Sequence, residues 1–285
     1  MIDRILNYLF SIFVIVAFIL FSDATGRIWI ALAFLLGITF VLLMLLYNTL
    51  TIDGAASALV TGVIAMGFGR WTGAGLLLFF FISVYLLTIW ADKHAERPVK
   101  TKITRNRKVS ERRTGIQVWA NAFWFTLSLS LFVLTAADIF LVAAAAAIAA
   151  ATADTWASIV GEHLSHKARL VTTFRLVPSG TDGGVTTAGN LAAFIGALAA
   201  GGLFMLLTFS TDLRAGLVIL VAGFSGCLVD SYLGAIFQYH GWAANRLHLP
   251  GYSSLPVKLR ALVPMNDSVN FLSTGIASAV AILLY

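Results

Sequence analysis

The chain has 285 residues, of which 59% are hydrophobic and only 11% are charged, and its mean hydropathy is +0.91. Soluble domains carry roughly 25% charged residues, so this composition excludes a soluble globular protein and indicates an integral membrane protein. The single cysteine, Cys227, excludes an intrachain disulfide framework and a cysteine-based zinc site. The formal net charge of +6 is modest, and no nucleic-acid partner is expected.

Nine apolar segments predict an all-α polytopic bundle of about nine transmembrane helices in a single domain of residues 1–285. Most approach the ~20 residues that cross the hydrocarbon core. The third and sixth are short and rich in Gly or Ala, which predicts close helix packing, or broken or re-entrant elements around a polar cavity. The first is read as an uncleaved span. The segments cover approximately residues 5–21, 28–47, 54–68, 73–90, 117–135, 139–152, 186–209, 216–239 and 269–285.

The distribution of positive charge predicts how the bundle is oriented. With nine spans, sixteen of the nineteen Lys and Arg residues fall on the side of the N-terminus and three on the other side. The positive-inside rule therefore predicts a cytoplasmic N-terminus and an external C-terminus, with a prokaryotic plasma membrane as the expected location. The same assignment places the polar segments at the cytoplasmic face, where soluble nucleotide is available.

The most polar segment between two long apolar runs covers residues 153–189. Within it, Asp154, Ser158 and Glu162 have the spacing i, i+4 and i+8, so in a helix they share one face. The turn at residues 178–184 contains Thr181, Asp182, Gly183 and Gly184, and its glycines permit a positive φ and a close approach to a ligand. Carboxylates beside a Gly-rich turn are typical of a site for a metal and a phosphate. A polar loop that only connects two spans is the alternative.

Asp230 lies in the middle of the eighth apolar segment, with Gly226 and Gly234 four residues away on either side. An ionisable residue within a span is a functional candidate because its burial is costly. The flanking glycines leave its helix face bare, so a ligand can approach the carboxylate. The alternative is a carboxylate that pairs with one buried group for packing.

Two amide-containing stretches are further candidates. Asn266, Asp267 and Asn270 converge at the start of the last span, where a helix N-cap is the alternative for Asp267. Asn121 lies in the fifth span, one turn after Gln117, and two amides on one face within lipid need partners. These partners are another helix, a phosphate or a nucleobase.

The candidate phosphate-binding cations are Arg112, Arg113 and Arg175, because a guanidinium can bind phosphate in a bidentate manner. For the basic loop that contains the first two, a role as topology determinant beside anionic lipid is the alternative. The chain has no P-loop pattern. Phosphate chemistry would therefore use carboxylate-held Mg²⁺, and the candidate metal ligands are Asp154, Glu162, Asp182 and Asp230.

Several motifs, in order, resemble the integral-membrane phytyl-phosphate kinase family, a group long described as a membrane family of unknown function. They are SERR at residues 110–113, QVWAN at 117–121, ADTWAS at 153–158, TTFR at 172–175, GTDGGV at 180–185, DSYLGA at 230–235 and NDSVNF at 266–271. ADTWAS and GTDGGV are the specific ones. The resemblance covers residues 54–285, whereas residues 1–50 carry little of it. The Cys pairs that many members carry before the NDxVN motif are absent.

The resemblance implies transfer of a phosphoryl group from a nucleoside triphosphate to a prenyl monophosphate such as phytyl or geranylgeranyl phosphate. CTP is the expected phosphoryl donor. In this reading Asp154, Asp182 and Asp230 are catalytic, and the apolar tail lies between the Gly- and Ala-lined spans. The residues that bind substrate or nucleotide are Arg112, Arg113, Asn121, Ser158, Arg175, Thr181, Gly183, Gly184, Asn266, Asp267 and Asn270. Two alternatives are a cytidylyltransferase that forms a CDP-lipid and a lipid or isoprenoid transporter. The sequence predicts no oligomeric state.

Overall fold

The computed structural model describes residues 1–21, 23–94, 112–239 and 265–285, and nine α-helices form within them. Eight are long and apolar enough to cross a membrane. The predicted all-α polytopic fold is therefore confirmed. The helices are α1 (Ile2–Val16), α2 (Ala24–Leu46), α3 (Ile52–Gly67), α4 (Arg70–Lys93), α5 (Gly115–Thr135), α6 (Asp138–Leu164), α7 (Thr187–Thr208), α8 (Leu213–Gly234) and α9 (Met265–Leu284). Short π-helical turns, Ala17–Phe21 and Ala235–Tyr239, extend α1 and α8.

Successive helices run in opposite directions, so their ends meet at two faces of the bundle. At one face, Asp53 at the start of α3 accepts a hydrogen bond from the Gly115 N–H at the start of α5, at 2.8 Å. At the other face, the Arg214 guanidinium at the start of α8 donates to the Leu284 carbonyl at the end of α9. The 16-residue α3 is only ~24 Å long but still connects the two faces.

Helix α6 is longer than the apolar pattern predicts. It has 27 residues and continues through the polar stretch to Leu164, whereas the hydropathy of the segment ends near residue 152. No Gly or Pro interrupts the helix between residue 152 and Gly161. The polar side chains of this extension share a face that borders a cavity, so they need no loop to reach water. Neither α3 nor α6 is broken or re-entrant.

The centre of the bundle is the alanine-rich part of α6. The alanines from Ala143 to Ala151 are at most 3% exposed, and α6 contacts α4, α5, α7, α8 and α9. Glycines of α8 permit the closest approach, because a methyl group at Gly223 would lie 2.5 Å from Ala149 Cβ. The predicted close packing of small residues is confirmed. This part of α6 is therefore packed directly against its neighbours, and the position of the lipid tail stays a prediction.

A three-stranded antiparallel sheet, which the sequence analysis did not predict, links α6 to α7. Its strands are β1 (Lys167–Leu170), β2 (Leu176–Pro178) and β3 (Gly184–Val185), in the order β2-β1-β3. Alternate side chains are apolar and buried, and Ala168, Leu170 and Val177 pack with Ala235 at the end of α8. The sheet thereby fixes the Gly-rich turn against the bundle.

Candidate functional site

A polar cavity of about 250 Å³ lies where α6 ends, α7 begins and α8 ends, beneath the turn between β2 and β3. Four carboxylates line it, and no Lys or Arg of the described ranges does so. The cavity is therefore strongly acidic. The lining residues that carry side-chain oxygen or nitrogen are Asp154, Ser158, Glu162, Ser179, Thr181, Asp182, Thr186, Asn190, Asp230, Ser231, Gln238 and Asn266.

One wall of the cavity is the polar face of α6. Asp154, Ser158 and Glu162 all line the cavity, so the predicted shared helix face is confirmed. The start of α7 lies directly against this wall, because a methyl group at Gly189 would be 2.8 Å from the Ala157 carbonyl oxygen. The Thr186 hydroxyl caps α7 by accepting a hydrogen bond from the Gly189 N–H, at 2.9 Å.

Two carboxyl groups from different helices meet in the cavity. The carboxyl groups of Asp154 on α6 and Asp230 on α8 lie within hydrogen-bonding reach of each other. The Ser273 hydroxyl of α9 donates to Asp230 Oδ2 at 2.9 Å, so three helices position this pair. Two carboxyl groups in such contact are stable together only with a proton or a cation between them.

The Gly-rich turn is held rigidly above this pair. Gly180 and Gly183 have φ values of +81° and +74°, in the left-handed region that favours glycine. A methyl group at Gly183 would lie 2.3 Å from Ala235 Cβ and 2.5 Å from the Ala235 backbone, so no other residue fits between the turn and α8. The Gly184 N–H donates to the Thr181 carbonyl at 2.8 Å, which closes the turn.

Asp182 lies at the rim of the cavity, and its side chain is exposed. Partial desolvation by the surrounding walls raises the pKa of Asp182 above the ordinary value for aspartate. Its charge adds to the unfavourable potential at Asp230. A cation bound in the cavity would relieve both effects.

Nine of the fifteen predicted site residues line this cavity, although they come from four separate segments. They are Asp154, Ser158, Glu162, Thr181, Asp182, Gly183, Gly184, Asp230 and Asn266. Their individual roles stay predictions.

The structure does not bring the three predicted arginines to the cavity. The Arg112 guanidinium hydrogen-bonds Asn48 Oδ1, and the Arg113 backbone N–H donates to the Thr49 carbonyl at 2.9 Å. Both therefore join the start of α5 to the connection between α2 and α3. Arg175 is exposed and follows the β1–β2 turn.

The remaining predicted amide and carboxylate residues also lie outside the lining. The Asn121 amide donates to the Gln117 carbonyl of its own helix, at 3.1 Å. The Asn270 carbonyl accepts from Ser273 and Thr274 in α9. Asp267 is only 5% exposed, and its Oδ2 has no hydrogen-bond partner among residues 1–21, 23–94, 112–239 and 265–285.

Sequence reasoning missed several polar lining residues, chiefly Asn190, Ser231 and Gln238. Ser231 follows Asp230 directly, and Asn190 lies on the first turn of α7, four residues after Thr186. A signal for Asn190 was therefore present, because an amide in the first turn of a span needs a partner. Gln238 lies in the π-helical turn after α8, and π-helical turns occur frequently at functional sites.

The carboxylates that line the cavity suit Mg²⁺ better than a metal ion that takes all of its ligands from protein side chains. Within the described part of the chain, no three His, Cys, Asp or Glu side chains converge closely enough to hold a metal ion by themselves. Mg²⁺ commonly takes one or two carboxylates and completes its shell with water and substrate phosphates. The Asp154–Asp230 pair in a carboxylate-lined cavity fits that mode of binding.

The chain belongs to the integral membrane protein DUF92 family, whose sequence model matches residues 35–278. It is 35% identical over 138 residues to an uncharacterized membrane protein of Methanocaldococcus jannaschii, which is 48% of each chain. It is 36% identical over 137 residues to Protein PGR of Arabidopsis thaliana, which is 44% of this chain and 48% of the relative. The aligned segments thus span about half the length of these curated relatives. No solved structure matches.

Proposed function

We propose that this DUF92 protein is a membrane-embedded kinase that transfers a phosphoryl group from a nucleoside triphosphate to a prenyl monophosphate. We expect CTP to be the phosphoryl donor. The observation that carries the proposal is the Asp154–Asp230 pair beneath a Gly-rich turn, in a cavity that no described Lys or Arg lines. Phosphate cannot approach four carboxylates without a cation between them. A site for Mg²⁺ and phosphate together therefore explains the charge of the cavity.

The reaction has a balanced and simple form. An oxygen of the lipid monophosphate bonds to the γ-phosphorus, and the bond from this phosphorus to the β–γ bridging oxygen breaks. The products are a prenyl diphosphate and a nucleoside diphosphate. Phosphoryl transfer depends mainly on positioning and on neutralisation of charge, because the protein supplies little covalent chemistry.

The chain's own residues have roles that match these requirements. Asp154 and Asp230 would hold the cation, and Ser273 orients Asp230. Mg²⁺ held there would supply charge neutralisation for the phosphates. The start of α7, which Thr186 and Asn190 bring to the cavity, adds the positive end of a helix dipole. With the N-terminus in the cytoplasm, the cavity opens toward soluble nucleotide.

The direct test is an assay of product identity with the purified protein in detergent. The protein is incubated with Mg²⁺, CTP and phytyl or geranylgeranyl monophosphate, and the products are identified by mass spectrometry. Prenyl diphosphate with CDP is the expected result. CDP-lipid with pyrophosphate would instead identify a cytidylyltransferase, and absence of turnover over a panel of prenyl phosphates and nucleotides would overturn the kinase assignment.

The third hypothesis is a lipid transporter, and the close packing of helices below the cavity disfavours it. The buried alanines of α6 and the close contacts of Gly223 and Gly226 with that helix fill the interior between the cavity and the opposite face. Flux of lipid across proteoliposomes without nucleotide would support transport, and we expect none.

A further inference from the structure

The cavity wall formed by α7 and α8 is directly next to surface that faces lipid. Asn190 and Ser231 line the cavity. Their neighbours Leu191 and Tyr232 are 60% and 51% exposed. Each helix therefore has a polar cavity-lining residue next to an exposed apolar residue. A ligand that extends past Asn190 and Ser231 would enter the hydrocarbon core of the bilayer.

An aromatic pair closes the boundary between α7 and α8 on the membrane side of this wall. The rings of Phe194 and Phe224 are in edge-to-face contact, with centroids 6.0 Å apart and an interplanar angle of 81°. Phe194 lies one helical turn from Asn190. Farther along, the helices approach so closely that a methyl group at Gly201 would lie 2.8 Å from the Gly216 carbonyl oxygen. The boundary is thus closed from the aromatic pair to the far face.

Within residues 1–21, 23–94, 112–239 and 265–285, the close helix contacts below the cavity leave no alternative route for an apolar chain. A methyl group at Gly226 would lie 2.6 Å from Ala150 Cβ and 3.1 Å from Ala277 Cβ, so α6, α8 and α9 are in direct contact below the carboxylates. Cys227, Ala153, Ala193 and Ala197 fill the space between α6, α7 and α8. A tail attached to a head group in the cavity must therefore leave sideways.

We propose that the apolar tail of the substrate leaves the cavity between α7 and α8, above the Phe194–Phe224 pair. It then lies in the bilayer against the exposed side chains of Leu191, Phe194, Leu228 and Tyr232. This inference rests on the proposed function and deepens it, because it locates the long chain of the prenyl monophosphate in the membrane beside α7 and α8. Phe194 and Phe224 are positioning residues that set how deep the chain enters.

The test is photo-crosslinking of the full-length protein in lipid nanodiscs with a long-chain prenyl monophosphate that carries a diazirine in its tail. Peptide mapping by mass spectrometry locates the label, and unlabelled prenyl monophosphate is added as competitor. We expect competed label, meaning label that decreases when competitor is added, on α7 and α8 near Leu191 and Leu228. Label near Leu35 on α2, whose side chain is 63% exposed, should not decrease when competitor is added.

Phe194→Ala gives a second, independent readout. Opening the aromatic closure should move the competed label toward Leu198 and Val221, which lie deeper on the same faces. Phe34→Ala, at an exposed aromatic of α2, is the matched control and should leave the label in place. An unchanged pattern in Phe194→Ala, or competed label confined to other helices, would overturn the tail site.

Turnover of the same prenyl monophosphate with Mg²⁺ and CTP is measured in parallel. Competed label at α7 and α8 without formation of prenyl diphosphate would overturn the kinase function and leave the lipid site in place. Formation of prenyl diphosphate with competed label only on other helices would overturn the lipid site and leave the kinase function in place. The two proposals therefore fail separately.

Discussion

The carboxyl group of Asp154 on α6 lies within hydrogen-bonding reach of that of Asp230 on α8. The two residues lie in different helices: Asp154 follows the sixth apolar segment, and Asp230 lies within the eighth. Such a pair in a cavity lined by four carboxylates is costly unless a cation or a proton compensates it. The pair is therefore the position at which the proposed chemistry is most sensitive to substitution.

Asp230→Asn is expected to abolish turnover while expression and folding remain intact. The amide retains the size of the carboxyl and can still hydrogen-bond Asp154, but it removes the charge that holds the cation. We expect a loss of at least about 100-fold in kcat, the size typical of removing one preorganised electrostatic group. Steady-state assay of prenyl diphosphate measures it, and near-normal turnover would refute the assigned role.

Ser273→Ala tests the orientation of Asp230. The substitution removes the hydrogen bond to Asp230 Oδ2, and we expect roughly a three- to tenfold loss of turnover, the size of one ordinary net hydrogen bond. Ser278→Ala is the matched control, because its hydroxyl donates to the Ala143 carbonyl within the packed core. Equal losses of turnover in the two variants would mean that Ser273 acts only through stability.

Removal of divalent cation should prevent nucleotide binding. Because no described Lys or Arg lines the cavity, we expect the affinity for CTP to fall at least about tenfold when EDTA replaces Mg²⁺, which corresponds to ~1.4 kcal/mol. Isothermal titration calorimetry with the wild-type protein measures this difference. Asp154→Asn should show weak binding with or without Mg²⁺. Equal binding by the wild type in EDTA would exclude a cation-mediated site.

Gly183→Ala should displace the turn that covers the cavity. The added methyl group meets the Ala235 backbone at 2.5 Å, and a positive φ adds strain. We expect destabilisation by about 1–3 kcal/mol and a large loss of turnover. The measurements are thermal unfolding in detergent and the product assay.

Gly202→Ala is the control for Gly183→Ala. A methyl group at Gly202 in α7 meets nothing within 4 Å, so the variant should be neutral or more stable by about 0.5–1 kcal/mol, the helix propensity gained. If Gly183→Ala matched this control in both stability and turnover, the turn would not be held as the contacts indicate.

Local patterns predicted most of the helices and one wall of the cavity. Hydropathy located all nine helices of the described part of the chain, and the spacing of Asp154, Ser158 and Glu162 correctly placed these residues on one face. Both signals depend only on residues near in sequence, since helix periodicity is a local property. The end of α6 was placed too early because hydropathy records apolarity and not helix formation, and its polar residues face a cavity instead of lipid.

Hydropathy and residue type were enough to show that the chain lies in a membrane, approximately where its helices begin, and which acidic residues are candidates. The contact between Asp154 and Asp230 could not be predicted in this way, because it follows from the close approach of α6 and α8 at Gly223. The tertiary structure also shows that Arg112 and Arg175 lie away from the cavity and that three short strands hold the turn. These features depend on pairing between distant segments, for which no periodicity in the sequence gives a signal.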